Sequence, residues 1–233
     1  MRPEITQELL ALVKRGYNDI AADFDMTRKK AIWPEIKKLA AEVQDGEAVL
    51  DAGCGNGRLL EVLPARVEYL GVDNSEELIK LARRNYPNHK FVVADILNLD
   101  SVPKQSFDQV FCLAVLQHIP SRELRVAALQ QLADKLKPSG RLVISVWNLW
   151  QSPKHRLLLL KNYWSKILGQ GKLDYGDLLF PWKNSGGQEV GERYYHAFTK
   201  QELRQITRLA GLKIENFNRD KYNYWLILHI ITP

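Results

Sequence analysis

The residues of this sequence whose types and spacing best suit chemistry form a glycine-rich turn at positions 51–57. Glycine occupies three alternate positions there, Gly53, Gly55 and Gly57, and Asp51 precedes them. An apolar run at 48–50 favours a strand before the turn, and apolar residues at helical spacing follow at 59–63. A strand, a glycine turn and a helix in this order make a ligand-binding crevice at the carboxyl end of a parallel sheet. Glycine suits this place because a side chain would keep the backbone away from a ligand.

A second acidic residue lies at the spacing that a ribose-binding site requires. Residues 67–72 form the next predicted strand, and Asp73 follows it, 22 positions after Asp51. An acidic residue about 20 positions downstream is placed to accept hydrogen bonds from ribose hydroxyls. The dinucleotide-binding pattern needs a glycine at position 58, where this chain has Arg58. The spacing therefore favours a ribose-bearing ligand without a pyrophosphate, and an ordinary glycine-rich turn is the alternative.

With these residues the chain resembles the class I S-adenosylmethionine-dependent methyltransferases, whose first motif reads hydrophobic-D-x-G-x-G-x-G. The resemblance implies S-adenosyl-L-methionine as cofactor, with Asp95 on the adenine amino group and Ile96 against the adenine ring. It also implies a lid in which Tyr17 and Arg28 contact the methionine end of the cofactor. The predicted cofactor residues are Tyr17, Arg28, Asp51, Gly53, Gly55, Asn56, Gly57, Asp73, Asn74, Asp95, Ile96 and Leu113.

The order of predicted elements supports an α/β fold with a doubly wound, seven-stranded, mostly parallel sheet. Helices are predicted at 3–15, 33–43, 75–84, 121–137 and 203–209, and strands at 48–50, 67–72, 91–94, 107–116, 141–147, 212–216 and 224–231. In an insertion after the fifth strand, residues 157–164 suggest a helix, and 169–171, 181–182 and 185–187 suggest loops. We expect one methyltransferase domain over 1–233, divided into an N-terminal helical lid (1–44), a cofactor-binding core (45–147), a substrate-side insertion (148–192) and the C-terminal part of the sheet (193–233).

The composition excludes several classes of protein. The chain has 233 residues, of which 45% are hydrophobic and 26% charged, as in ordinary globular proteins. No apolar stretch approaches the roughly 20 residues that cross a bilayer, and no signal-peptide core follows the first residues, so we expect a cytoplasmic protein without a membrane partner. Two cysteines without a C-x-x-C pair predict neither a disulfide framework nor a metal site. Cys112 lies in an apolar run and is predicted to be an inert buried thiol.

The excess positive charge of this chain, +6, lies wholly after residue 150. Residues 1–150 have 20 basic and 20 acidic side chains, whereas 151–233 have 13 and 7. This bias favours a polyanionic partner such as RNA, with a merely solvated surface as the alternative. Trp147, Trp150, Trp164 and Trp182, with Lys and His between them, suit stacking on unpaired bases. A separate hydrophobic cluster is the alternative, and we favour it for Trp150 and Trp164.

Candidate catalytic residues occur in two places. His118 follows the fourth predicted strand, at the ligand end of the sheet, where it could orient an acceptor oxygen or relay a proton. A histidine satisfied by local contacts is the alternative. Arg193 can pair bidentately with a carboxylate or a phosphate, and Tyr194 and His196 would shape the same pocket. A packed strand entrance is the alternative for these three residues.

Several motifs together narrow the resemblance. They are Tyr17…Arg28…Trp33-Pro34, the glycine turn, Ala114-Val115-x-x-His118, Arg193-Tyr194-Tyr195-His196 and Asn223-Tyr224-Trp225. In combination they resemble the eukaryotic tRNA methyltransferases that esterify the carboxymethyl group of wobble uridine. That family implies tRNA as methyl acceptor, in-line displacement at the sulfonium methyl, and a small zinc-binding activator subunit as partner. The 148–192 insertion departs from the family. A small-molecule O- or N-methyltransferase and a non-catalytic cofactor-binding scaffold remain alternatives, and the oligomeric state is open.

Overall fold

Helices and strands alternate through most of the chain in the computed structural model, which describes residues 1–27, 31–183 and 188–231. The helices are α1 (Pro3–Asp19), α2 (Ala21–Thr27), α3 (Pro34–Ala40), α4 (Glu76–Asn85), α5 (Arg122–Ala133), α6 (Pro153–Ile167) and α7 (Lys200–Leu209). The strands are β1 (Ala48–Ala52), β2 (Glu68–Asp73), β3 (Lys90–Val93), β4 (Phe107–Leu113), β5 (Leu136–Trp147), β6 (Asp177–Lys183), β7 (Glu189–His196), β8 (Leu212–Arg219) and β9 (Asn223–Ile230).

The central sheet has seven strands in the order β3-β2-β1-β4-β5-β9-β8. Neighbouring strands from β3 to β5 are parallel, and β9 is antiparallel to both of its neighbours. The predicted seven-stranded, mostly parallel sheet is therefore confirmed. The chain winds outward from β1 to β3 and then returns to β4 on the other side of β1. Ligands of such sheets bind beyond the carboxyl ends of the strands at this point of reversal.

Both faces of the sheet are covered, which explains why its strands are almost continuously apolar. Successive residues of β1 contribute to opposite faces, because side chains alternate along a strand. Val49 packs in a cluster with Phe111 and Trp225, whereas Leu50 packs in the larger cluster with Leu129. All of these side chains are buried. The sheet is thus a rigid platform whose strand ends position the residues that follow them.

Two predicted boundaries near the glycine turn were wrong. The helix expected at 59–63 is a single 3₁₀ turn, Arg58–Glu61, because Pro64 disfavours helical backbone in the residue before it. The fourth strand was expected to run to residue 116 but ends at Leu113, since Ala114 has a positive φ of 56°. This bend brings the residues after β4 back over the end of the sheet.

The boundary between the fifth helix and the fifth strand was also wrong. The helix ends at Ala133 and not at 137, and β5 begins at Leu136 and not at 141. The register between β4 and β5 shifts here, because Phe107 pairs with Leu136 but Gln109 pairs with Arg141, and the extra residues of β5, which include Pro138, form a bulge. Three helices begin with a capping side chain, since Ser75, Ser121 and Thr199 each accept a hydrogen bond from the third backbone N–H that follows.

The insertion contains a β-hairpin that the sequence did not predict. Residues 181–182, expected as a loop, belong to β6, which pairs with β7 in a separate two-stranded sheet. Pro181 is tolerated because such a sheet consists of edge strands only. The predicted helix at 157–164 is confirmed and extended as α6. The loop expected at 185–187 lies outside the described residues. In the described ranges, no helix combines the length and apolarity needed to cross a bilayer.

Candidate active site

A cleft lies beyond the carboxyl ends of β1, β2 and β4, at the point where the strand order reverses, and α1 and α2 cover it. Its empty volume is about 810 Å³, with the open space at the mouth included. Eight of the predicted cofactor residues line it: Tyr17, Gly53, Gly55, Asp73, Asn74, Asp95, Ile96 and Leu113. An adjoining cleft of about 690 Å³ is lined by Asp51 and Asn56 and shares Gly53 and Gly55 with the first. Arg28 lies outside the described residues.

The glycine turn has a backbone that side chains would not permit. Gly53 has a φ of +81°, and a Cβ atom there would lie 2.2 Å from Cγ2 of Val115. Gly55 has a φ of +55°, and its Cβ would approach the Phe24 ring to 3.2 Å. Gly57 lines neither cleft and instead packs closely against Phe91. Glycine therefore keeps the turn close to the residues that cover it, and it exposes backbone to both clefts.

Asp73 holds the glycine turn and the start of α4 in place. One carboxylate oxygen accepts a hydrogen bond from the Gly55 backbone N–H at 2.9 Å, and the other accepts from Ser75 N–H at 2.9 Å. Burial raises the pKa of Asp73, and these backbone donors oppose part of the rise. A carboxylate has about four acceptor sites, so this group retains capacity for ribose hydroxyls. Asp95, at the end of the next strand, accepts from Leu97 N–H at 2.9 Å.

Asp51 is a buried carboxylate beneath the turn. It accepts a hydrogen bond from the Tyr69 hydroxyl at 2.9 Å. Burial raises the pKa of Asp51 to about 7, and the negative charge of Asp73 adds to the rise. The group therefore titrates near neutral pH, and a cationic group of a ligand placed beside it would favour its ionised form.

Helices α1 and α2 are bound to the core through polar side chains at the edge of the cleft. The Ser75 hydroxyl donates to the side-chain oxygen of Asn18 at 2.7 Å. The Asn56 amide donates to Asp25 of α2 at 2.9 Å. These contacts, together with the Phe24 ring against the glycine turn, explain why Asn56 is almost fully buried. The contact of Asn56 with α2 is one that sequence spacing could not show.

His118 is held by hydrogen bonds on both ring nitrogens. Nδ1 lies 3.3 Å from the backbone oxygen of Tyr194, and Nε2 lies 2.9 Å from the hydroxyl of Tyr17. A carbonyl oxygen can only accept, so Nδ1 carries the proton and Nε2 accepts from Tyr17. Burial, with the nearby positive charge of Arg193, lowers the pKa of His118 to about 4. The imidazole is therefore neutral at physiological pH and is a weak base.

Strand alternation separates the four residues of the Arg-Tyr-Tyr-His motif in β7. Arg193 and Tyr195 lie on the face of β7 toward residues that line the cleft, although neither lines the cleft itself. The Arg193 guanidinium lies 3.5 Å from the centre of the Trp182 ring, and Trp182 contacts Tyr17. Tyr195 packs on the His118 ring at 4.7 Å and stacks on Trp147 at 4.9 Å between ring centres. Sequence reasoning missed Tyr195 because it did not predict the strand whose alternation places it there.

That Tyr194 and His196 shape the acceptor pocket stays a prediction, but both side chains point into a buried polar network and neither lines the cleft. The Tyr194 hydroxyl donates to Asp177 at 2.7 Å. His196 bonds Asp177 through Nδ1 and Glu202 through Nε2, and Arg125 bonds both carboxylates. Burial opposes ionisation of Glu202, yet its contacts with His196 and Arg125 leave its pKa below the usual value. The network joins α5, the hairpin and α7 and does not line the cleft.

Two buried donors on the cleft side lack partners. Within the ranges that the structure describes, neither Nε of Arg193 nor Nε1 of Trp147 has a hydrogen-bond partner. Trp147 lines the cleft directly. Donors buried without an acceptor are costly, so these two atoms indicate a site for an oxygen-bearing ligand.

Neither cysteine is arranged for chemistry. Cys54 and Cys112 are free and buried, and burial raises the pKa of Cys112 to about 12. The prediction of an inert buried thiol at Cys112 agrees with these findings. The described part of the chain also contains no group of three or more His, Cys, Asp or Glu that could hold a metal ion.

Known proteins share both the core sequence and the fold. The model of a methyltransferase domain family matches residues 49–140. An S-adenosylmethionine-dependent methyltransferase from Methanosarcina mazei is 21% identical and superposes with a TM-score of 0.71, over 88% of this chain and all of that one (100%). The 1,6-didemethyltoxoflavin-N1-methyltransferase of Burkholderia thailandensis, solved with S-adenosylhomocysteine, is 20% identical with a TM-score of 0.67, over 97% of this chain and 91% of that one.

The chain is therefore a class I S-adenosylmethionine-dependent methyltransferase, and S-adenosyl-L-methionine is its cofactor, as the sequence predicted. Within this class it is similar to the tRNA (carboxymethyluridine(34)-5-O)-methyltransferases. The Xenopus tropicalis protein is 30% identical, over 93% of this chain and 40% of that protein. The Schizosaccharomyces pombe protein is 29% identical, over 92% of this chain and 94% of that protein. The narrower resemblance drawn from the motifs is thus confirmed.

Proposed function

We propose that this methyltransferase esterifies a carboxylate on a tRNA nucleoside, with carboxymethyluridine at the wobble position as the acceptor. The observation that carries the proposal is the Arg193 guanidinium. It is stacked on Trp182 and close enough to His118 to lower the pKa of the imidazole. Its Nε atom has no hydrogen-bond partner among the described residues. A half-buried guanidinium whose Nε is buried without a partner suits a planar carboxylate.

The residues around the two clefts fit S-adenosyl-L-methionine. Asp73 would accept from the ribose hydroxyls and Asp95 from the adenine amino group, with Ile96 against the adenine ring. The exposed backbone at Gly53 and Gly55 would allow close approach of the cofactor. Asp51, in the adjoining cleft, would face its ammonium group. We assign α1 and α2 as a lid over this site, with Tyr17 at the methyl end, and residues 148–192 as the substrate side of a single domain.

When bound, the cofactor would supply an electrophilic methyl group on its sulfonium sulfur, which passes in line to an acceptor oxygen as the carbon–sulfur bond breaks and S-adenosylhomocysteine leaves. The chain's own residues would then align the acceptor and exclude water. A carboxylate is already a nucleophile at neutral pH, so no strong base is needed, which agrees with a neutral His118 hydrogen-bonded at both nitrogens. Alignment of two reactants contributes up to about 7–11 kcal/mol in favourable cases. His118 would act by positioning Tyr17 and the wall formed by Tyr195.

The test is to incubate the protein with methyl-labelled cofactor and with tRNA that carries the unesterified nucleoside. Mass spectrometry of the digested nucleosides should show one added methyl group, and mild alkali should release it because it is an ester. Label in a small-molecule acid or amine pool, with none in tRNA, would contradict the proposal and favour a small-molecule methyltransferase. Cofactor that binds but remains unchanged with every acceptor would favour a non-catalytic scaffold.

Variants at position 193 test the anion-binding role. Arg193→Ala should raise the KM for tRNA at least tenfold and leave the dissociation constant of the cofactor unchanged. Arg193→Lys should recover only part of the loss, since an ammonium cannot pair bidentately. Arg219→Ala, at an exposed arginine on β8, is the matched control. If the two alanine variants have equal KM and kcat values for tRNA, Arg193 does not bind the acceptor.

We also propose a small activator subunit as a partner. A putative methyltransferase from Haloferax volcanii, solved in complex with a methyltransferase activator, is 18% identical with a TM-score of 0.62, over 91% of this chain and 96% of that one. In this chain β3 is an edge strand of the sheet, and Val92 and Val93 on it are exposed. An edge of this kind offers unpaired backbone groups to a partner. Co-expression with an activator should give a stable complex that Val93→Lys weakens, and a complex indifferent to that change would place the partner elsewhere.

A further inference from the structure

Helix α6 presents an apolar and aromatic face to solvent, contrary to the cluster that the sequence predicted for Trp164. Only Leu159 of this helix is fully buried. Seven large apolar side chains on or beside α6 are between 46% and 70% exposed: Leu157, Leu160, Tyr163, Trp164, Ile167, Leu168 and Tyr175. Monomeric proteins rarely expose a contiguous patch of this kind without an interaction partner. Trp150, by contrast, packs inward and donates to the Ala197 carbonyl, so the prediction was confirmed for that residue.

The charge around this face has a single sign. Residues 150–173, which contain α6, have five Lys and Arg and no Asp or Glu. Lys154, Arg156, Lys161 and Lys172 are exposed beside the apolar face. Asp174 follows immediately, but Lys166 and the terminal amine of Met1 already neutralise it. A second copy of the chain would bring the same cations together, so the charge favours a polyanionic partner.

Three of the exposed side chains form an aromatic cluster. The ring centres of Tyr163 and Trp164 lie 5.8 Å apart, and those of Tyr163 and Tyr175 lie 5.4 Å apart. The ammonium of Lys166 lies 5.2 Å from the centre of the Tyr175 ring. Aromatic rings interleaved with cations are the combination on which unpaired bases stack while their phosphates are neutralised.

A chain of rings connects this helix to the acceptor side of the cleft. His155, in the first turn of α6, packs on Phe180 at 5.4 Å. Phe180 stacks on Tyr195 at 5.2 Å, and Tyr195 packs on His118 at 4.7 Å. The exposed face of α6 therefore begins beside the wall of the acceptor pocket and extends away from it.

We propose that the aromatic cluster on the outward face of α6 and Tyr175, together with the cations beside it, is a docking surface for the unpaired bases and phosphates of RNA next to the acceptor nucleotide. Tyr163, Trp164 and Tyr175 stack on bases, and Lys154, Arg156 and Lys161 contact phosphates. This inference rests on the proposed tRNA substrate. It adds a binding surface outside the pocket in which Arg193 holds the acceptor carboxylate.

The experiment compares matched pairs of variants by tRNA kinetics and by fluorescence anisotropy with an anticodon stem-loop RNA. Trp164→Ser with Tyr163→Ser should weaken RNA binding and raise the KM for tRNA about five- to a hundredfold, with kcat and cofactor affinity unchanged. Leu157→Ser with Leu168→Ser removes a comparable exposed apolar area but no aromatic ring. This control should change neither the RNA affinity nor the KM for tRNA. Lys154→Glu with Lys161→Glu should reduce the salt dependence of binding, whereas Lys213→Glu with Lys221→Glu, elsewhere on the surface, should not.

Failure of this inference is distinguishable from failure of the proposed function. Methylated tRNA with the same KM in the aromatic variant and in its leucine control would overturn the docking surface and leave the function intact. Absence of methyl transfer to tRNA in the unaltered protein would remove both. Binding to phosphatidylserine vesicles, or self-association, that the α6 variants abolish while RNA affinity stays unchanged would assign the face to a lipid surface or to a second copy instead.

Discussion

The hydroxyl of Tyr17 lies 2.9 Å from Nε2 of His118, and this hydrogen bond joins α1 to the residues that follow β4. The Tyr17 ring also contacts Phe24 and Trp182 edge-on. One side chain therefore touches α2, the β6–β7 hairpin and the loop after β4. Any movement of α1 away from the cleft must break the bond to His118 and leave a buried imidazole nitrogen without a donor.

We predict that Tyr17→Phe lowers the free energy of unfolding by about 1–3 kcal/mol, because Nε2 of His118 is left buried and unsatisfied while the ring contacts persist. Faster dissociation of the cofactor should accompany this loss. Urea denaturation and stopped-flow displacement of bound S-adenosylhomocysteine measure the two effects. Tyr222→Phe, at an exposed tyrosine, should change neither. Unaltered stability in Tyr17→Phe would show that the hydrogen bond does not form in solution.

The depressed pKa of His118 predicts a stability change below neutral pH. The folded value is about 4 and the ordinary value 6.5, so between these pH values the unfolded chain binds more protons. The contribution of His118 to the free energy of unfolding is therefore fully present above pH 6.5. It falls by up to about 3 kcal/mol as the pH decreases toward 4. Unfolding free energies of the unaltered protein and of His118→Gln, measured across this range, should converge as the pH falls. A constant difference between them would contradict the assignment.

For Asp51 we predict the opposite dependence of folding stability on pH. Its pKa in the folded protein, about 7, lies above the ordinary 3.8. Its contribution to the free energy of unfolding is therefore present at low pH and is lost as the pH rises through 7. Asp51→Asn should therefore raise the stability of the cofactor-free protein at pH 8 by up to about 4 kcal/mol. The same change should weaken cofactor binding measured by calorimetry. A variant that loses stability at pH 8 would indicate that Asp51 is not desolvated as the structure shows.

The cofactor side of the site was predictable from the sequence because its residues are local to strand ends. Each of these residues ends a strand, as Asp73 does, or follows one within a few residues, as Gly53, Gly55 and Asp95 do, and a parallel sheet brings such ends to one edge. The alternation of elements was also sufficient to predict a doubly wound, seven-stranded, mostly parallel sheet. Neither inference needed a contact between distant segments.

The acceptor side was less predictable because it depends on pairing between distant segments. Pro181 and Trp182 have the composition of a loop, and only the pairing of β6 with β7 makes them a strand. Without that strand, the alternation that turns Tyr194 and His196 away from the cleft could not be inferred. Their partner Arg125 comes from α5, about 70 positions earlier, and no local pattern indicates such a contact.

The buried network around Asp177 leads us to predict that replacement of Arg125 lowers the free energy of unfolding by several kcal/mol. Replacement by Met removes the guanidinium from Asp177, which has no exposed surface, and from Glu202. Removal of one partner from a buried ion pair costs about 3–5 kcal/mol, because the other charge stays buried. The matched control is Arg141→Met, whose pair with Glu42 is partly exposed and should cost at most about 1 kcal/mol. Guanidinium denaturation distinguishes the two, and equal losses would show that the network is solvated.

A pair of glycines separates the effect of backbone strain from that of close packing. Gly46 and Gly53 have similar φ values of +85° and +81°, but a Cβ at Gly46 meets nothing within 4 Å, whereas one at Gly53 would lie 2.2 Å from Val115. Gly46→Ala should therefore lower the free energy of unfolding only by the cost of a left-handed backbone at alanine, about 1–2 kcal/mol, and should bind cofactor normally. Gly53→Ala must also displace Val115 or the turn, so we expect loss of cofactor binding by calorimetry and a larger fall in melting temperature. Equal affinity for S-adenosylhomocysteine in the two variants would mean that the turn does not approach the ligand.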